Sequence, residues 1–330
     1  MKLTPTDREL FFSRQDPQDP RLGDRVRGLG VVSTPDELSK VVTKNSYVLC
    51  GYPDDEGIRV NGGRPGAAQA PRAIRRPLYK MTPALSFTSG SLELFDAGDL
   101  LPTGGDLAAR HAAAVTFARA ALDKGARWIA LGGGHDYGFS EADAYCEWAL
   151  ANGHRPLIIN FDAHLDVRST EKGLSSGTPF FRMIEKHHAR GLDFVEIGIQ
   201  SQCNSRAHVD WLQERGGRII LLDDWLASGE ALETYVTREI EDLLIRPRPA
   251  FISVDIDAFS SAVAPGCSQS WATGLMPREF FATFELIVTR LDVRALGLYE
   301  VSPPLDQDDR TSKLAAQIAH RYIFATGTSK

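Results

Sequence analysis

Seven short apolar runs, each followed by a longer amphipathic stretch, constrain this chain more than any other feature. They fall at 46–52, 127–133, 156–162, 193–199, 217–223, 250–256 and 293–301. Several, such as PLIINFD and AFISVDI, are apolar at consecutive positions, so both faces of the strand have to be covered. The segments 106–124, 138–151, 179–190, 205–215, 230–244, 277–291 and 311–325 carry helical periodicity. This alternation predicts an α/β protein whose mostly parallel sheet is sandwiched between helices. No linker-like shift in composition divides the chain, so a single doubly wound domain over 46–330 is expected. The first 45 residues, with DPQDPRLGDR, read as an irregular, peripheral segment, and 56–76 reads as a Gly- and Arg-rich loop leading into a helix.

Charge and composition narrow the partners. A net charge of −6 with no long basic run leaves no electrostatic footprint for nucleic acid or an anionic membrane surface. The N-terminus lacks a basic start and apolar core, and no stretch has the length of a membrane span, so a soluble, cytoplasmic protein is expected. Cys50, Cys146, Cys203 and Cys267 are widely spaced with no CxxC pair, which predicts free thiols rather than a disulfide framework or a thiolate zinc site. A small molecule is the expected partner.

The chemistry-bearing residues sit at strand ends. Ligands of open parallel sheets bind beyond the carboxyl ends of the strands. WIALGGGHD ends in His135 and Asp136, LIINFDAHLD in Asp162, His164 and Asp166, FISVDID in Asp255 and Asp257, and ALGLYEV carries Glu300. Taken singly, His135 reads as a satisfied turn histidine and the aspartates as polar strand ends. Taken together, so many carboxylates at one edge repel one another unless a cation neutralises them. Carboxylates with neutral imidazoles suit Mn²⁺, Fe²⁺ or Zn²⁺, and the excess of negative charge suits a pair of ions.

GGGH at 132–135, DAHLD at 162–166, SVDIDAFSSAVAPG at 253–266 and EVSPP at 300–304, in this order, resemble the signature motifs of the ureohydrolases. The resemblance implies a three-layer α/β/α sandwich around a mostly parallel eight-stranded sheet, two divalent ions, most often Mn²⁺, and a homo-oligomer such as a trimer or hexamer. It implies one ion held by His135, Asp162, Asp166 and Asp255, and another by Asp162, His164, Asp255 and Asp257. It also implies that Glu300 accepts hydrogen bonds from the substrate and that Asp166 relays a proton.

Within that family, Ser176 stands where arginases and agmatinases usually carry a histidine before the Gly-x-Pro step. Ser176, Arg168, GIQSQCNS at 198–205 and NGGRPGAAQAPRAIRR at 61–76 resemble the formimidoylglutamase branch. That implies hydrolysis of N-formimidoyl-L-glutamate to L-glutamate and formamide. Two substrate carboxylates call for cationic or amide donors: Arg168 first, because a guanidinium can bind a carboxylate bidentately, then Asn204, Arg64 and Asn61. Cys267, Gln269 and WATGL at 271–275 depart from the family pattern and leave room for a guanidino acid or agmatine-type substrate releasing urea. A metal-binding protein without turnover is a further alternative. A zinc deacetylase is disfavoured, because GGGHD supplies one histidine where a pair is needed.

Overall fold

In the computed structural model, which describes residues 1–85, 87 and 92–326, the apolar runs become strands because each is short, covered on both faces and followed by a helix that returns the chain to the same edge. In chain order the strands are β1 (Leu3–Thr4), β2 (Val26–Gly28), β3 (Tyr47–Gly51), β4 (Leu94–Leu100), β5 (Arg127–Leu131), β6 (Leu157–Phe161), β7 (Asp193–Ile199), β8 (Arg218–Leu221), β9 (Pro249–Asp255) and β10 (Asp292–Tyr299). The order across the sheet is β1-β4-β3-β5-β10-β9-β6-β7-β8, with β2 also pairing β4. Only β1 runs antiparallel to its neighbour; β3 to β10 form the expected eight-stranded parallel sheet.

Helices cover both faces. Leu107–Asp123, Gly138–Ala151 and Pro179–His187 pack over one face around Phe117, Tyr145, Phe180 and Phe251. Ala70–Leu78, Leu232–Leu244, Pro277–Arg290 and Arg310–Thr326 pack over the other around Ile74, Val236, Phe284 and Ile318. The result is the three-layer α/β/α sandwich. Its functional consequence lies in the strand order: β5 and β6 are consecutive in sequence yet are parted by β10 and β9. The four strands that carry the polar ends are therefore immediate neighbours at the centre of the sheet.

Three features differ from the sequence reading. β4, LFDAGDL, is absent from the predicted strands because Asp96, Gly98 and Asp99 break its apolar pattern. Its acids are matched by Arg75, which is 1% exposed. The Arg75 guanidinium reaches Asp96 (Nε–Oδ2 2.9 Å), Asp99 (Nη1–Oδ1 2.5 Å) and the Gly98 carbonyl (2.9 Å), and Tyr79 Oη donates to Asp96 at 2.5 Å. The stretch 217–223 divides, since Leu222 and Asp223 already begin the helix Leu222–Ser228. The first 45 residues, expected to be irregular, add β1 and β2 to the sheet edge and a helix, Pro35–Val41, with Thr34 as its N-cap and Pro35 in its first turn. Leu3, Leu22 and Leu38 of this segment are fully buried.

Removing a buried cation strands its anionic partners in the core. Arg75→Met is expected to destabilise the fold by about 3–5 kcal/mol in denaturant unfolding, whereas Arg76→Met, at an exposed position of the same helix, should stay within about 0.5 kcal/mol.

Candidate metal centre

Each polar strand end is positioned by a local backbone device. After β5 the chain must pass so close to the segment from Tyr52 to Asp54 that a Cβ on Gly133 would lie 1.8 Å from the Asp54 carbonyl oxygen. Glycine at that position is what lets His135 reach the sheet edge. After β6, Asp162 still donates its N–H to the Ile197 carbonyl (3.1 Å), and the chain then turns sharply through Asp166 at φ 49°. After β10, Glu300 adopts φ 64° while its N–H donates to the Gly133 carbonyl (2.9 Å). Left-handed conformations cost free energy in residues with a side chain and persist where the surroundings dictate them. Both occurrences here re-aim a carboxylate.

The side chains converge. His135 Nδ1 lies 3.1 Å from Asp162 Oδ2, 3.1 Å from Asp166 Oδ2 and 3.2 Å from Asp255 Oδ2. His164 Nδ1 lies 3.0 Å from Asp257 Oδ2 and 3.6 Å from Asp162 Oδ1. Among the described residues three groups are compact enough to hold a cation, and two of them lie here: His135, Asp162, Asp166 and Asp255, and Asp162, His164 and Asp257. Asp162 is common to both. Asp255, expected in both sets, belongs by distance to the first, and its Oδ1 accepts the Asp257 N–H (2.9 Å). Glu300 accepts the His135 N–H (3.2 Å). A third acidic group, Asp143, Glu147 and His187, is already neutralised, with Lys186 Nζ 2.6 Å from Asp143 Oδ1 and Arg190 Nη1 2.6 Å from Glu147 Oε1.

Electrostatics suit the first two groups to a cation. Burial, and then the charge of their neighbours, pushes the carboxyls of Asp166, Asp255 and Glu300 up. Burial and the nearby Asp162 push Asp257 up to about 6 against the pull of His164. Burial disfavours ionisation of Asp162 as well, but His135 and His164 hold it below the ordinary carboxylate range. His135 Nδ1 is fully buried and makes no well-aligned hydrogen bond, although three carboxylate oxygens surround it. A ring nitrogen aimed among carboxylates, with the ring's other nitrogen engaged elsewhere, suits a divalent transition metal as the partner that takes the place of a proton there. That other nitrogen, Nε2, is 2.9 Å from Ser253 Oγ, and the ring stacks on Tyr299 with centroids 4.9 Å apart.

A cavity of about 450 Å³ opens onto His164, Asp166, Asp255, Asp257 and Glu300, with His135 and Asp162 buried behind them. Arg168, Asn61, Ser176 and Asn204 all line it. Asn61 orients two of the others: its Oδ1 accepts from Arg168 Nη1 (3.0 Å) and its Nδ2 donates to Ser176 Oγ (3.2 Å). Asn204 is committed to the ligand loop, accepting from the Leu165 N–H and donating to the Ala163 and Gln200 carbonyls, each at 2.9 Å. Arg64 does not line the cavity: its guanidinium donates to the Cys267 and Ser268 carbonyls (2.8–3.0 Å) and so pins the loop that follows Asp257. The sequence reading missed Ser253 and Asn160, which support His135 and Asp162. Each precedes a strand-end aspartate by two residues, and alternate strand residues share a face, so that spacing was the available signal.

Because Asp162 joins both groups, Asp162→Ala should bind fewer than two Mn²⁺ per chain by elemental analysis, whereas Asp143→Asn should match the unaltered chain. Divalent ions compete with protons for raised carboxyls. Mn²⁺ affinity measured by calorimetry should therefore fall as pH drops below about 6, where Asp257 takes up its proton.

The chain and its fold have counterparts among known proteins. A family profile described as the arginase family matches residues 45–325. The formimidoylglutamase of Aeromonas salmonicida is 30% identical, with 97% of this chain and 98% of that protein covered. The crystal structure of Trypanosoma cruzi formiminoglutamase with Mn²⁺ superposes with a TM-score of 0.78 at 25% identity, covering 94% of this chain and all of that one. The Bacillus subtilis formimidoylglutamase structure gives a TM-score of 0.82 at 24% identity, covering 96% of this chain and 95% of that one. With its four motifs gathered at one sheet edge and matched over nearly its whole length, the chain belongs to the arginase family.

Proposed function

We propose that this protein hydrolyses the amidine C–N bond of N-formimidoyl-L-glutamate, with water, to L-glutamate and formamide at a centre of two Mn²⁺ ions. The observation that carries the reading is the site itself: two cation-holding groups joined by the buried Asp162 present His164, Asp166, Asp255 and Asp257 to a cavity that is also lined by Ser176 and Arg168. The similarity to formimidoylglutamases across the chain supports the choice of substrate.

His135, Asp162, Asp166, Asp255, His164 and Asp257 would hold the ions. When bound, such ions lower the pKa of water to near neutrality and polarise the group under attack. The chain's own residues do the rest. Glu300, at the cavity wall and turned inward by its left-handed backbone, accepts from the amidine N–H groups and fixes the trigonal carbon. Water oxygen adds to that carbon as its C=N double bond opens, Asp166 takes a proton from the water, and the bond to the glutamate nitrogen breaks as the formamide C=O forms. Asp166, facing both the ion site and the cavity, transfers the proton that the departing nitrogen requires. Arg168, held by Asn61 and exposed at the rim, pairs with a substrate carboxylate.

Among the described residues no helix is long and apolar enough to cross a membrane. The four cysteines are unpaired, which suits a reducing compartment and supports placement in the cytoplasm.

Mn²⁺-loaded protein given N-formimidoyl-L-glutamate, arginine, agmatine and guanidinobutyrate should release formamide from the first; urea from the others without formamide would overturn the substrate. Arg168→Ala should raise KM roughly tenfold or more with kcat changed much less, the loss of a charge-assisted bond made in ground and transition states alike. Ser176→His should alter the ratio of rates among these substrates; unchanged ratios would remove Ser176 from the specificity argument.

A further inference from the structure

The sheet carries a row of polar side chains beneath the metal centre that the hydrolytic reading does not use. In the strand register Ser253 of β9 lies opposite Asn160 of β6, and Asn160 lies opposite Glu196 of β7. All three are fully buried, on the face packed by Phe180, Phe194 and Phe251. Ser253 meets His135. Asn160 Nδ2 donates both to Asp162 Oδ2 (3.2 Å) and to Glu196 Oε2 (2.8 Å).

Two atoms of this row are left over. Asn160 Oδ1 and Glu196 Oε1 are both buried with no partner, and leaving two such acceptors unpaired is costly. They belong to the two groups already joined by Nδ2 and Oε2, and a carboxylic acid facing a primary amide can close a ring of two hydrogen bonds. We infer that Glu196 is a neutral acid whose Oε1–H donates to Asn160 Oδ1, and that this acid–amide pair is a positioning device holding Asn160 against Asp162, the ligand common to both cation groups.

The chemistry of the surroundings agrees. Among the described residues no ion pair engages Glu196. An ionised carboxylate there would add a further negative charge behind five carboxylates already crowded at the sheet edge. Burial, and then the charge of Asp162, pushes the Glu196 carboxyl well above its usual range. In the ring, one amide N–H faces the acid and the other is fixed in the same plane, directed at Asp162. The reverse amide orientation would turn an oxygen toward the Asp162 carboxylate. Partners behind metal ligands of this kind set ligand orientation and metal affinity.

The inference rests on the proposed Mn²⁺ centre, and Glu196→Gln and Glu196→Met test the two separately. Glutamine reproduces the neutral acid, because its amide N–H can donate to Asn160 Oδ1 while its oxygen accepts from Nδ2; methionine removes both bonds. By calorimetry on metal-depleted protein, Glu196→Gln should bind Mn²⁺ within about twofold of the unaltered chain, and Glu196→Met should bind about 10–100-fold more weakly. Infrared difference spectra of the metal-loaded protein at neutral pH, unaltered chain minus Glu196→Gln, should show the carbonyl band of one protonated carboxyl; this second readout stands even if the methionine variant does not fold. Absence of that band, loss of affinity in the glutamine variant, or full affinity in the methionine variant would each overturn the inference while leaving the metal centre intact. Unaltered protein that takes up no Mn²⁺ would overturn the metal centre and this inference with it.

Discussion

The repulsion among five carboxylates at one sheet edge is the constraint on which the rest of the structure depends. Asp162, Asp166, Asp255, Asp257 and Glu300 come from three neighbouring strands, with His135 and His164 set among them. Left alone they are held partly by protonation and partly by the two imidazoles, and each arrangement leaves charge or a lone pair in the interior without a proper partner. A divalent cation resolves the conflict in a way that no rearrangement of the side chains does. The backbone meanwhile resists relaxation: a glycine that admits no Cβ and two left-handed acidic residues keep the carboxylates facing one another. The site is destabilising by construction, and the two large apolar layers on either side of the sheet supply the stability that lets it persist.

Support behind the ligands follows the same logic. The buried polar side chains of the central strands are gathered behind the ligands, as Ser253 behind His135 and Asn160 behind Asp162. A further set approaches His135 from its ring face. Tyr299 stacks on the imidazole and donates to Glu141 at 2.7 Å, and Glu141 also accepts from Tyr52 at 2.5 Å. Burial pushes Glu141 up to about 7 against the pull of these hydroxyls. A rigid polar frame of this kind fixes rotamers in a way that an apolar layer, which tolerates sliding, does not.

Much of this was legible in the sequence. Ligand residues at alternate positions after an apolar run have to leave the strand on one side, and four such runs in a parallel sheet have to end at one edge, so His135, Asp162, His164, Asp166, Asp255, Asp257 and Glu300 could be brought together before any coordinates. Other parts were hidden for physical reasons. β4 escaped because the acids that break its apolar pattern are compensated by Arg75 from a distant helix, a long-range pairing that no local window contains. Arg64 and Asn204 looked like substrate donors by residue type, yet both bond to backbone carbonyls whose positions depend on the finished loops. The first 45 residues looked irregular because two- and three-residue edge strands carry no periodicity to detect.

The position of β9 and β10 bears on how the molecule comes into being. These strands are the last of the ten to be synthesised, yet they occupy the middle of the sheet, between β5 and β6. Without them β5 and β6 have no hydrogen-bonded path to one another in the sheet, and the ends that carry Asp255, Asp257 and Glu300 are missing from between His135 and Asp162. Closing contacts across so much sequence is slow, and a metal site made from both halves does not exist before that closure. Both cation-holding groups include a residue from the end of β9, so a complete metal site reports that this late strand has taken its central place.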